Sequence, residues 1–190
     1  MLSADVCRIA RSAPAQRRRG GVRCFAAAQV SAPAAYKLNF NQAVDKAHEG
    51  KPIKDIIQLP PSALQGLSKR ADTALAALNV KTVQQLGSWK LYKAAKAMAA
   101  LAATEEAGAH PEGAACNING LLDKQWEVAA LGEVLAAPPS ALQGLGPKSD
   151  EVLGELGIRS VQDLADWKYA AWADALVTLA EYERADFSSS

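Results

Sequence analysis

Cysteine is nearly absent from this chain. Of its 190 residues three are cysteine, and two of them, Cys7 and Cys24, fall within the first 35. The third, Cys116, alone closes no intramolecular disulfide and anchors no zinc site. Histidine is as scarce: His48 and His110 stand alone, without a partner at metal-ligand spacing. No run of about 18 apolar residues occurs, so no membrane span is expected. No segment alternates as a strand does. There is no Ser/His/Asp arrangement and no phosphate loop, and paired carboxylates such as Glu105–Glu106 sit at an expected helix end. The chain therefore reads as a non-enzyme without cofactor or metal.

Acid is missing from residues 1–35 except for Asp5, and lysine is missing altogether. What is there is arginine, at 8, 11, 17, 18, 19 and 23, amid alanine and serine. A basic, acid-poor, Ala/Ser-rich segment has the composition of an organelle transit peptide. The alternative for so basic a stretch is an arm that binds nucleic acid. The stretch VRCFAAAQVSA (Val22 to Ala32) resembles the cleavage region of green-algal chloroplast precursors. No hydrophobic second signal follows, which favours the chloroplast stroma over the lumen; the mitochondrial matrix is the other destination. Of the 21 Lys/Arg and 20 Asp/Glu in the chain, 15 and 19 lie outside this segment, a net of about −4. Such acidity disfavours general polyanion binding.

The remainder is a duplication. PPSALQGLSKRADTALAAL begins at Pro60 and PPSALQGLGPKSDEVLGEL at Pro138, 78 positions later. The same offset aligns 39–106 with 117–184 without a gap, and 26 of the 68 aligned positions are identical. Two gapless copies imply two compact units, 37–106 and 117–184, joined by a linker at 107–116 and followed by a disordered tail at 185–190. Each unit reads as all-α. Asn41 and Asn119 suit N-caps of a first helix. IKDIIQL and LGEVLAA form short apolar helices, which Pro-Pro ends before opening the next. Gly66 and Gly144 stand where a positive φ is needed. KRADTALAAL and PKSDEVLGEL are the next helices, with Asn79 and Gly157 as C-caps. Helices at TVQQL and SVQDL start at a Thr or Ser cap. The last helices begin near Trp89 and Trp167, with apolar stripes Leu91, Ala94, Met98, Leu101 and Tyr169, Trp172, Leu176, Leu179.

The stretch LQGLGPKSDEVLGELGIRSVQDLADW (Leu142 to Trp167) resembles the helix-hairpin-helix family. The residues that carry the likeness are Gly144, Leu145, Gly146, Pro147 and Lys148, an apolar-Gly-apolar-Gly turn followed by Pro and a base. It is also similar to the C-terminal domain of the bacterial RNA polymerase alpha subunit. The likeness covers about 25 residues per copy. It implies phosphate-backbone contact by a glycine hairpin and the N–H groups of the next helix. In the second copy those contacts would be Gly144, Gly146 and Lys148; in the first, Gly66, Ser68, Lys69 and Arg70.

The copies depart from the pattern in complementary ways. The first has Ser68 in place of the second glycine but carries Lys69 and Arg70, and its span 53–106 holds seven bases and four acids. The second keeps both glycines but continues with Asp150 and Glu151, and 131–184 holds four bases and nine acids. Acids at a helix N-terminus repel phosphate. Lys90, Lys93 and Lys96 edge the first copy's last helix. Trp126 (opposite His48) and Trp172 (opposite Ala94) occur in the second copy only, as core fillers or a partner surface. Turn and core duties account for most shared residues. Two functions stay open: a protein-interaction or scaffold module of the stroma, or an organellar DNA- or RNA-binding protein acting through the first hairpin. Opposite charge on like-shaped units also suits head-to-tail self-association.

Overall fold

Proline sets the chain's course in both copies. Pro60 and Pro138 take extended backbone (ψ 157° and 156°), and Pro61 and Pro139 open one-turn 3-10 helices, Pro61–Ala63 and Pro139–Ala141. The computed structural model describes residues 38–106, 108–109 and 112–184. The expectations for 1–35 and 185–190 lie outside them.

Among the described residues the chain is helical and has no strand. The helices are α1 (Ile53–Ile56), α2 (Lys69–Ala77), α3 (Val83–Gly87) and α4 (Lys90–Ala102), then α5 (Leu131–Ala136), α6 (Pro147–Glu155), α7 (Val161–Ala165) and α8 (Lys168–Ala180). Two isolated antiparallel bridges, Val44–Leu64 and Leu122–Leu142, tie each copy's first turn to its 3-10 helix. The Asp72 and Asp150 carboxylates each accept a backbone N–H 2.8 Å away, from Ser62 and Ser140 respectively. That bond braces α2 and α6 against the turn before them.

Helix ends follow local rules. Thr82 accepts from Gln85 N at 3.1 Å and Ser160 from Asp163 N at 3.0 Å, as expected of N-caps. Asn79 (φ 61°) and Gly157 (φ 83°) stand just past α2 and α6 in the left-handed region. Asn41 and Asn119 cap no α-helix. Residues 41–43 form a turn, and Asn119 begins a 3-10 helix whose cap is Ile118.

The buried faces of the last helices share only Met98 and Leu176 with the stripes expected. α4 buries Tyr92, Ala95 and Met98, and α8 buries Ala170, Ala173, Leu176 and Ala180. Leu101 and Leu179 are exposed. Three of the four residues that α8 buries are alanine, which allows close helix approach, whereas α4 buries Tyr92 and Met98 beside Ala95. A Cβ placed on Gly87 of α3 would stand 2.5 Å from the Ala173 carbonyl oxygen of α8.

That contact crosses between copies. α4, from the first copy, lies on α5 and α7 of the second; α8, from the second, lies on α1 and α3 of the first; α2 faces α6. Trp89 (ψ 115°) and Trp167 (ψ 106°) are extended residues that cap the last helices and turn them away from α3 and α7. One core of buried apolar residues runs through both copies, and both belong to a compact unit that begins at Asn39. The joint at 107–116 marks the repeat in the sequence, not a division of the core.

Candidate functional site

Both hairpins have the backbone their sequence demands. Gly66 and Gly144 share a φ of 97°, which no β-branched residue adopts without strain. Ser68 and Gly146 are the N-caps of α2 and α6, and neither helix start receives a side-chain cap. Lys69, Arg70 and Lys148 project from the first turns and are exposed. Asp150 does not set the second hairpin apart, since Asp72 makes the same bond in the first.

The surroundings of the two hairpins differ. The second copy reaches the first hairpin: the Tyr169 hydroxyl stands 2.7 Å from where a Cβ on Gly66 would be. Arg70 reaches Glu155 on α6, Nη2 to Oε2 at 3.2 Å and Nε to the same oxygen at 3.3 Å. Gly66, Leu67, Ser68, Arg70, Glu155 and Tyr169 line a shallow recess of about 230 Å³ between the copies. The position equivalent to Tyr169 is Leu91, and nothing lies within 4 Å of a Cβ on Gly144. The glycine of the hairpin with Lys69 and Arg70 thus has Tyr169 of the second copy beside it, whereas nothing stands over Gly144; both turns remain exposed.

The basic edge of α4 is likewise engaged. Lys96 Nζ lies 3.1 Å from Asp174 Oδ2 on α8, and Lys93 Nζ lies 3.7 Å from Oδ1. The bond to Asp174 holds the Lys96 ammonium above its ordinary pKa. Lys90, the first residue of α4, is exposed. Trp172 is half-buried and meets Tyr169 edge-on, with ring centroids 5.6 Å apart; Lys168 Nζ lies 4.8 Å from the Tyr169 centroid and 5.4 Å from that of Trp172. Trp126 is half-buried against the core. Its Nε1 has no hydrogen-bond partner, and neither has Nδ1 of His48, its counterpart in the first copy.

Sequence reasoning placed Glu105 at a helix end but missed the caps that Glu105 and Glu183 make across the copies. The Glu183 carboxylate accepts Ile53 N at 2.7 Å and Lys54 N at 2.9 Å, at the start of α1. The Glu105 carboxylate accepts Leu131 N at 2.7 Å, at the start of α5. Their signal was an identical acid at the repeat offset, just beyond the last helix in each copy.

Among the described residues no three His, Cys, Asp or Glu are placed to hold a metal ion, and no helix is long and apolar enough to cross a membrane. No family model, no curated protein and no solved structure matches the chain.

Proposed function

We propose that the protein is a non-enzymatic interaction or scaffold module of the chloroplast stroma, delivered there by its N-terminal segment and built from two helix-hairpin-helix-like copies. The observation that carries this reading is the use made of the first hairpin. Its glycine lies under the Tyr169 hydroxyl, and its arginine lies on Glu155. A hairpin that would grip phosphate in the family it resembles here faces protein side chains. The net acidity of 36–190 supports the same reading, because nucleic-acid affinity rests on released counterions. Exposed apolar side chains, Val128 at 95% and Tyr182 at 76%, offer contact area outside the shared core.

The test is binding of protein lacking residues 1–35 to labelled random DNA and RNA over a salt series. No binding is expected. Tight binding whose logarithm falls by roughly 0.7–0.9 per phosphate neutralised as log salt rises would establish the nucleic-acid reading instead. Mass spectrometry of the organelle protein checks the delivery step, with a start about 30–40 residues in. An intact Met1 in purified organelles would refute it.

A further inference from the structure

We infer that the surface each copy presents to the other is a docking site for the complementary half of a second chain. Two molecules can then exchange halves and close as a dimer, with 39–106 of one against 117–184 of the other. This inference is independent of the stromal scaffold reading.

The contacts that join the copies have the form of a two-fold interface. Glu105 caps Leu131 and Glu183 caps Ile53, and both members of these pairs are related by the same 78-residue offset. Lys96 and Asp174 are themselves counterparts, yet they touch each other, at 3.1 Å. Equivalent positions meet only where a two-fold axis passes, as in an isologous dimer. Charge then dictates which halves pair. Two first halves would set Lys96 against Lys96, and two second halves would set Asp174 against Asp174. Only first with second places Lys93 and Lys96 on Asp174 and Arg70 on Glu155. The opposite net charges of the copies are thus a pairing code.

The joint between halves does not obstruct exchange. Between Ala102 and Asn119 the described residues hold no helix. A tethered half acts at an effective concentration of the order of mM, so the closed monomer dominates in dilute protein. Refolding at about mM protein allows the partner to come from another chain. The dimer formed there persists on dilution, because leaving it means opening the whole core.

Two full-length variants test this, R70E/K93E/K96D and E155R/D174K. Closed on itself, each sets like charges against one another at each of the three ion pairs named above. Exchanged with the other, each half meets its complement. Co-refolding at high concentration should yield a mixed dimer of twice the 20.0 kDa chain mass. It should exceed either homotypic dimer by about tenfold, from several surface pairs each worth a few-fold. A wild-type chain carrying a protease site within 108–113 gives a second readout free of charge changes. Cutting the linkers of its exchanged dimer should release assemblies of single-chain mass. Protein that stays at 20.0 kDa at every concentration, statistical mixing of the variants, or a dimer that survives linker cleavage would each overturn the inference.

Discussion

The Glu105 carboxylate accepts the backbone N–H of Leu131 at 2.7 Å, so an acid from the first copy closes the first helix of the second. Glu183 does the same for the first copy, at Ile53 and Lys54. Each copy is therefore finished by the other. Helix starts leave N–H groups without intrahelical partners, and α1 has only four residues over which to form its own bonds. An external carboxylate counts for more there than at the end of a long helix.

Replacing Glu183 by alanine should accordingly be felt in the other copy. Loss of a charged cap costs about 1–2 kcal/mol, which will lower the melting temperature. Hydrogen exchange should quicken at the amides of Ile53 and Lys54, 129 or more residues away in sequence. Unchanged exchange at those two amides would mean that Glu183 does not cap α1 in solution.

Gly66 and Gly144 separate backbone strain from crowding. Both have a φ of 97°, so alanine at either position costs about 1–2 kcal/mol through the backbone. Only Gly66 also lies beneath the Tyr169 hydroxyl. G66A should therefore lose about 1 kcal/mol more than G144A. Adding Y169F to G66A should recover much of that difference, because it removes the crowding oxygen. Equal melts for G66A and G144A would show that Tyr169 moves aside freely.

Much of this fold was legible as single-residue rules. The positive φ at Gly66, Gly144, Asn79 and Gly157 follows from residue type and position, as do the Thr82 and Ser160 caps. The reciprocal placement of α4 and α8 was not legible. A repeat offset says which residues are alike, not which residues touch, and two bundles or one shared core have the same alignment. The inner face of α4 was misread for a related reason. Periodicity weighted by side-chain size favours Leu91 and Leu101, whereas α4 turns Ala95 inward between Tyr92 and Met98. In the candidate site the neighbours that the first hairpin meets were not legible. Tyr169, Glu155 and Asp174 all come from the second copy. The charge divergence between the copies is accounted for in part by each copy being the other's partner.

Gly87 lets α3 and α8 approach each other closely. Its missing Cβ leaves room for the Ala173 carbonyl, which would otherwise lie 2.5 Å away. Its counterpart on α7 is Ala165, buried and tolerated. On an exposed helix alanine gains about 1 kcal/mol over glycine. Here G87A should instead destabilise by about 1–3 kcal/mol, because backbone must shift to admit the methyl group. A thermal or urea melt decides the sign. A stabilised G87A would place α8 farther from α3 than the structure has it.

The caps of α3 and α7 should respond differently to acid. In the second copy Asp163 accepts from Arg159 N and Ser160 N, both at 3.0 Å. The bond to Arg159 N is the main reason its carboxyl lies below the ordinary value of 3.8. In the first copy the counterpart is Gln85, whose side-chain oxygen accepts Lys81 N at 2.7 Å and does not titrate. A carboxylate with a lowered folded pKa contributes stability that is complete above its unfolded value. That contribution is lost as pH falls through the folded value. Asp163 should therefore lose its contribution on acidification below about pH 4, while the Gln85 cap holds. The amides of Arg159 and Ser160 should lose hydrogen-exchange protection in that window, and that of Lys81 should not. D163N keeps an acceptor but removes the titration. It should flatten the acid limb of stability against pH, at a cost near neutrality well under the roughly 1 kcal/mol of a whole cap. Identical pH profiles for wild type and D163N would show that the Asp163 carboxylate has the same affinity for protons folded and unfolded.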